Sequence, residues 1–131
     1  MSFVQFEPFE KSERKQRPRM RTDIAMARMH FVERDGRAYI TLNAKLREML
    51  KEDDDGRIRV KLDTAPDGRI RLTSVISALE SGYRTVDKHT GRIGVQGLET
   101  RPGFSKDMFW KARKVHGRPW IELVPTTAGL A

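Results

Sequence analysis

The side chains in this sequence best able to do chemistry on a partner are arginines and lysines, and their placement is regular. Half of the ten glycines are followed directly by arginine: Gly36-Arg37, Gly56-Arg57, Gly68-Arg69, Gly91-Arg92 and Gly117-Arg118. Glycine supplies the positive φ that tight turns need. Four of these pairs, preceded by Asp35, Asp67, Thr90 and His116, therefore read as hairpin turns that open strands, each with a guanidinium at its corner. The fifth follows Asp53-Asp54-Asp55 and marks the end of a helix. The chemistry implied is binding rather than catalysis, because a guanidinium holds phosphates and carboxylates but does not turn over.

The sequence offers little for an enzyme. His30, His89 and His116 stand at no spacing used by metal-ligand sets or triads, Ser74, Ser77 and Ser105 lack a nucleophile elbow, and no phosphate-cradling glycine loop is present. The Asp53 to Asp55 run lacks the alternating spacing of a calcium loop and reads as a turn. No cysteine is present, which removes disulfides, thiolate nucleophiles and cysteine zinc sites. The expectation is a protein that is not an enzyme and holds no cofactor or metal. Its apolar runs are shorter than a bilayer span and its N-terminus lacks a signal-peptide core, so no membrane contact and a cytoplasmic location are expected.

Charge points to the partner. The 131-residue chain carries a formal net charge of +8. Residues 1 to 21 hold six basic and three acidic side chains, residues 22 to 80 eleven of each, and residues 81 to 131 nine basic and four acidic. Clustered cations at both ends of a neutral centre favour a polyanion, because Lys and Arg on phosphates release counterions. Phe3, Phe6 and Phe9, with Pro8 opposing a helix, either pack onto the body or dock into a partner's groove, and packing is the favoured reading. The following basic run, with Arg14, Lys15, Arg17, Arg19 and Arg21, has no apolar period and is either a strap along phosphates or a solvated linker. Residues 1 to 24 are accordingly an arm.

The elements that must position these cations are mostly strands. Met29 and Phe31, then Ala38, Ile40 and Leu42, alternate with polar residues around Asp35-Gly36. Asn43 is a good N-cap, and Leu46, Met49 and Leu50 continue the apolar face of Leu42 as a helix of about two turns from Asn43 to Leu50. Ile58, Val60 and Leu62 alternate with Arg57, Arg59 and Lys61, and beyond the Ala65 to Gly68 turn Ile70 and Leu72 alternate with Arg69 and Arg71. One face of this hairpin is aliphatic and the other carries five cations, which need either nearby carboxylates or an external phosphate over them. The internal explanation is favoured slightly.

The run Asp35-Gly36-Arg37-Ala38-Tyr39-Ile40-Thr41-Leu42, with the following helix and the hairpin Arg57 to Val75, resembles the AbrB/SpoVT family of swapped-hairpin DNA-binding domains over about fifty residues. Thr41 stands where that family usually has proline, and the helix is longer. A weaker second copy follows: Tyr83 to Val86, the Thr90-Gly91-Arg92 turn, Ile93, Val95 and Leu98, a helical Ser105 to Trp110 segment, and a hairpin around Gly117 ending in Trp120 to Val124. The resemblance implies a mainly β, barrel-like fold in which residues 25 to 78 and 79 to 125 form a tandem swapped-hairpin pseudo-dimer, monomeric or homodimeric, with residues 126 to 131 as a tail. It places DNA contacts on Arg34, Arg37, Lys45 and Arg47 in the first copy and on Lys88, Arg92 and Arg101 in the second. Independently, Lys106, Lys111, Arg113, Lys114 and Arg118 lie beside Phe109 and Trp110, a mixture suited to charge plus base stacking, although Phe109, Trp110 and Trp120 as core residues is the favoured reading. The function expected is a DNA-binding regulator or accessory protein. The alternative is a small phage or mobile-element protein that inhibits a host protein through its phenylalanine arm.

Overall fold

Alternation of apolar and polar residues produces strands here because successive side chains point to opposite faces, so a closed sheet puts every second residue into its interior. The computed structural model describes residues 4–6, 20–53, 55–76 and 81–126. Among these residues eight strands form: β1 (Met26–Val32), β2 (Arg37–Leu42), β3 (Ile58–Thr64), β4 (Ile70–Ser74), β5 (Arg84–Val86), β6 (Arg92–Gly94), β7 (Phe109–Lys114) and β8 (Trp120–Pro125). They pair, all antiparallel, in the order β5-β3-β4-β8-β7-β1-β2-β6. The end strands β5 and β6 meet through their turn, where the Asp87 amide donates to the Arg92 carbonyl at 3.0 Å and Arg84 Nη1 donates to the Gly94 carbonyl at 2.7 Å, so the sheet is a nearly closed barrel.

Exchanging β1 to β4 for β5 to β8 maps this strand order onto itself. The β1–β2 hairpin is flanked by β7 and β6, and the β3–β4 hairpin by β5 and β8. The interior holds Met29, Ile40, Leu42, Val60, Ile70, Leu72, Ile93 and Leu123 around the fully buried Trp110. Trp110 Nε1 donates to the Gly68 carbonyl at 2.8 Å, which satisfies the one polar atom of the largest core side chain. That bond ties the β3–β4 turn to β7, and the turn also abuts the loop after Leu98–Thr100. A Cβ on Gly103 would lie 2.2 Å from the Pro66 carbonyl oxygen, and one on Gly68 2.5 Å from that of Gly103, both at positive φ.

The single α-helix among the described residues, α1 (Ala44–Glu48), is shorter than expected, and the chain leaves it through turns that keep Leu50 buried. Its cap is as the sequence suggests. Asn43 Oδ1 accepts from the amides of Leu46 (2.9 Å) and Met26 (3.1 Å), while Nδ2 donates to the carbonyls of Ile24 (2.6 Å) and Arg21 (2.8 Å). One amide thus ties the entry of β1, the end of β2 and the start of α1 together. The Ser105 to Trp110 helix is not formed. Pro102 and Gly103 interrupt the chain, a single 3₁₀ turn occupies Leu98–Thr100, and the Met108 carbonyl accepts from the Met29 amide at 2.8 Å, drawing the segment into β7. Phe6 is 90% exposed, against the packing favoured for it; Phe3 and Phe9 lie outside the described residues.

Each hairpin finds its partners in the other half, so residues 25 to 78 expressed alone are expected to aggregate, stay unfolded or self-associate; a folded monomer by sedimentation and amide dispersion would contradict the interlocked sheet. Asn43→Ala should cost about 2 to 3 kcal/mol in denaturant melts, through removal of the cap and an orphaned buried amide. Gly103→Ala should cost at least about 2 kcal/mol, from backbone strain and forced displacement of the Pro66 carbonyl.

Candidate nucleic-acid interface

The outer wall of the barrel carries most of the five hairpin cations, and register decides their partners. Asp63, Arg71, Glu122 and Arg113 stand side by side across β3, β4, β8 and β7. Glu122 accepts from Arg113 Nη2 at 2.8 Å and from Arg69 Nη1 at 3.3 Å, and Asp67 accepts from Arg69 Nε at 2.7 Å. Arg59 is buried against Asp53, whose other oxygen accepts from the amides of Asp55 and Arg57 at 2.9 Å each, and its guanidinium lies 5.2 Å from the Tyr83 ring centroid. Arg71 meets the Trp120 ring at 4.6 Å. Internal carboxylates therefore compensate Arg59 and Arg69. Glu122, from fifty residues downstream, could not be assigned from sequence because nothing local announces the β4–β8 register.

These contacts set the titration of the wall. Burial pushes the Glu122 carboxyl up, but the hydrogen bonds and charges of Arg113 and Arg69 together outweigh it and hold the group below the ordinary glutamate range. The Asp53 carboxyl is lowered chiefly by the Arg57 amide, Asp67 by the Arg69 guanidinium, and Asp87 by the amides of Thr90 and His89. Folded-state carboxyl pKa values below their unfolded ones stabilise the fold above about pH 4, and that contribution disappears as pH falls through the folded values.

The cations placed by the family resemblance fall into two groups at opposite ends of the β2–β6 ladder. Thr41 pairs with Arg92 at one end, and beyond the pairing of Tyr39 with Gly94 the Val95 amide bonds the Ala38 carbonyl at the other. At the first end Arg47 Nη1 donates to the Lys88 carbonyl at 3.2 Å, Arg92 lies 5.7 Å from the Tyr39 ring centroid, and Lys45 and Lys88 are exposed. The shallow cleft there also presents Glu48, Glu52 and Asp87. At the other end Arg34 and Arg37 are exposed on the β1–β2 turn, interleaved with Glu33 and Asp35. Arg101 stands apart, its guanidinium 3.4 Å from Thr64 Oγ1.

The third group gathers at the β7–β8 turn. Phe109 and Trp110 are buried, so neither offers a stacking face. Lys111, Lys114 and Arg118 are exposed, while Arg113 is committed to Glu122. Lys114 and Arg118 line a groove of about 470 Å³ with Lys51, His116 and Trp120, over Leu72 and Ile121. Arg118 lies 5.3 Å from the Trp120 ring centroid. Lys51 was not singled out from sequence; the bond from its amide to Ser74 Oγ at 3.2 Å brings the exit of α1 to the end of β4, a long-range placement without local signal. In the arm, Arg21 pairs with Asp23, and Arg14, Lys15, Arg17 and Arg19 lie outside the described residues.

Among the described residues no group of His, Asp and Glu could hold a metal ion, and no helix is long and apolar enough to cross a membrane. Comparison with protein-family models, with curated proteins and with solved structures finds no match. The melting temperature should hold from neutral pH to about 5 and fall steeply below about 4. Glu122→Gln should lower it at neutral pH and flatten the acid limb, as read in a thermal-melt series.

Proposed function

We propose that the protein binds nucleic acid, most naturally DNA, as a regulator or accessory factor, contacting phosphates through the cations of its turns. The observation that carries this reading is the sorting of charge. The wall arginines Arg59, Arg69 and Arg113 are occupied by Asp53, Asp67 and Glu122, whereas Lys51, Lys114 and Arg118 share a groove with no carboxylate among its described lining residues. Cations left without carboxylate partners on one surface are the electrostatic footprint of a polyanion ligand. The resemblance to swapped-hairpin DNA-binding domains supports the same reading, as does a strand order in which each hairpin is flanked by strands of the other half. By the same resemblance Arg37 and Arg92 belong to the contact surface, although neighbouring carboxylates weaken the field at both ends of the β2–β6 ladder.

A second reading rests on Phe6 and Val4, which are 90% and 75% exposed: an apolar arm of this kind fits the groove of a host protein that the chain would inhibit. Retention on heparin and on duplex and single-stranded DNA across a salt series separates the two. Nucleic-acid binding requires log affinity to fall linearly with log salt, by about 0.9 per phosphate contacted on duplex and about 0.7 on a single strand. Negligible retention at physiological salt would favour the protein partner. Replacing Arg37 and Arg92 together with Ala should weaken DNA binding by about 1 to 3 kcal/mol if both make charge-assisted contacts.

A further inference from the structure

The groove beside the β7–β8 turn differs in kind from the neighbouring clefts. The cleft on the wall sets Asp63, Asp67 and Glu122 against Arg69 and Arg71, and the one beside α1 sets Glu48, Glu52 and Asp87 against Arg47 and Lys88, so neither offers phosphate an excess of positive charge. The third combines three features that occur together nowhere else in these clefts. Among the described residues its rim is cationic, with Lys51, Lys114 and Arg118 and no carboxylate; its apolar lining is Met49, Val115 and the exposed Ile76 beside the buried Leu72 and Ile121; and the half-buried Trp120 stands with them. Its volume of about 470 Å³ lies within the range of sites that enclose small ligands.

We propose that this groove takes one unstacked base of a single nucleic-acid strand, an inference that rests on the nucleic-acid reading above. The flanking phosphates lie on Lys51, Lys114 and Arg118, and the base sits on the apolar lining against the indole of Trp120. Charge tracking the backbone combined with an aromatic face for the base is the chemistry by which proteins hold single strands without reading sequence. A base inside a duplex cannot enter, because its faces are covered by its neighbours and unstacking it costs free energy. Arg118 has a double part. Its guanidinium rests near the indole, which Arg71 also contacts at 4.6 Å, and it moves to the phosphate as the base takes its place, while Arg71 stays on the ring.

The test titrates the full chain with a thymidine homopolymer, an abasic deoxyribose-phosphate polymer of the same length, and a duplex, reading affinity at several salt concentrations and tryptophan emission. The thymidine strand is expected to change the emission and to bind about tenfold or more tightly than the abasic polymer. Lys51→Ala, Lys114→Ala and Arg118→Ala combined, all exposed positions, should remove at least about tenfold of single-strand affinity and lower the salt slope by about 0.7 for each phosphate no longer held. Trp120→Leu should erase the preference for the base-bearing strand and Trp120→Phe retain it. Should the leucine variant not fold, the triple variant and the abasic comparison still decide. Equal binding of thymidine and abasic polymers, or stronger binding of the duplex, would overturn base entry while leaving the nucleic-acid reading intact. Displacement by polyglutamate at equal charge would overturn it in favour of an acidic protein partner. No binding of any nucleic-acid polymer would remove both readings.

Discussion

Each hairpin of this barrel is held between strands from the other half of the chain, and the rest of the structure depends on that exchange. β1 and β2 bond to β7 and β6, and β3 and β4 to β5 and β8, so four of the ladders join residues far apart in sequence. A hairpin in isolation exposes an aliphatic face and two unpaired backbone rows, and is at best marginal in water. Here each face is covered only when the other half is in place. The tightest turns also make their contacts across the halves: the Gly91 carbonyl accepts from the Leu42 amide at 2.8 Å, and Gly68 abuts Gly103 backbone to backbone. Contacts of such sequence separation are slow to form, since loop closure must precede any gain from them.

The same exchange sorts the charges. Glu122 reaches Arg69 only because β8 lies beside β4, and it reaches Arg113 only because β7 follows on the other side. One carboxylate from the second half thus neutralises part of the cationic face of the first. Charge read along the sequence as a hairpin of five like cations becomes, in the folded wall, an alternation of signs. At the β7–β8 turn, by contrast, Lys51 and Lys114 approach from different halves with no carboxylate among the described residues of their groove. The basic surface is therefore a product of the topology as much as of the composition.

The parts of this molecule legible in the sequence are those governed by local rules. The alternation of Ile58, Val60, Ile70 and Leu72, the Asn43 cap and the glycine turns at Gly36, Gly68, Gly91 and Gly117 each depend on a few neighbouring residues, and each is found in the fold. Where partners are remote, local reading failed. Ser105 to Trp110 has the length of a short helix, but its neighbour in space is β1, whose Met29 amide needs the Met108 carbonyl. Phe109 and Trp110 beside lysines look like a stacking surface until register turns one onto the wall under Arg28, 5.3 Å away, and the other into the core. Lys51 carried no signal at all. Its role in the groove follows from the path of the chain after α1, which no periodicity encodes.

The two shortest strands of the sheet, β5 and β6, are three residues each and lie where the ring comes together. Arg84 caps that junction by donating to the Gly94 carbonyl, occupying a backbone acceptor that an incoming chain would need. Strand addition, by which one β protein captures another or piles up with its own copies, requires a long row of vacant amides and carbonyls. Among the described residues this fold offers such a template only at a short, guarded seam, so its encounters are governed by side chains at the rims rather than by its backbone.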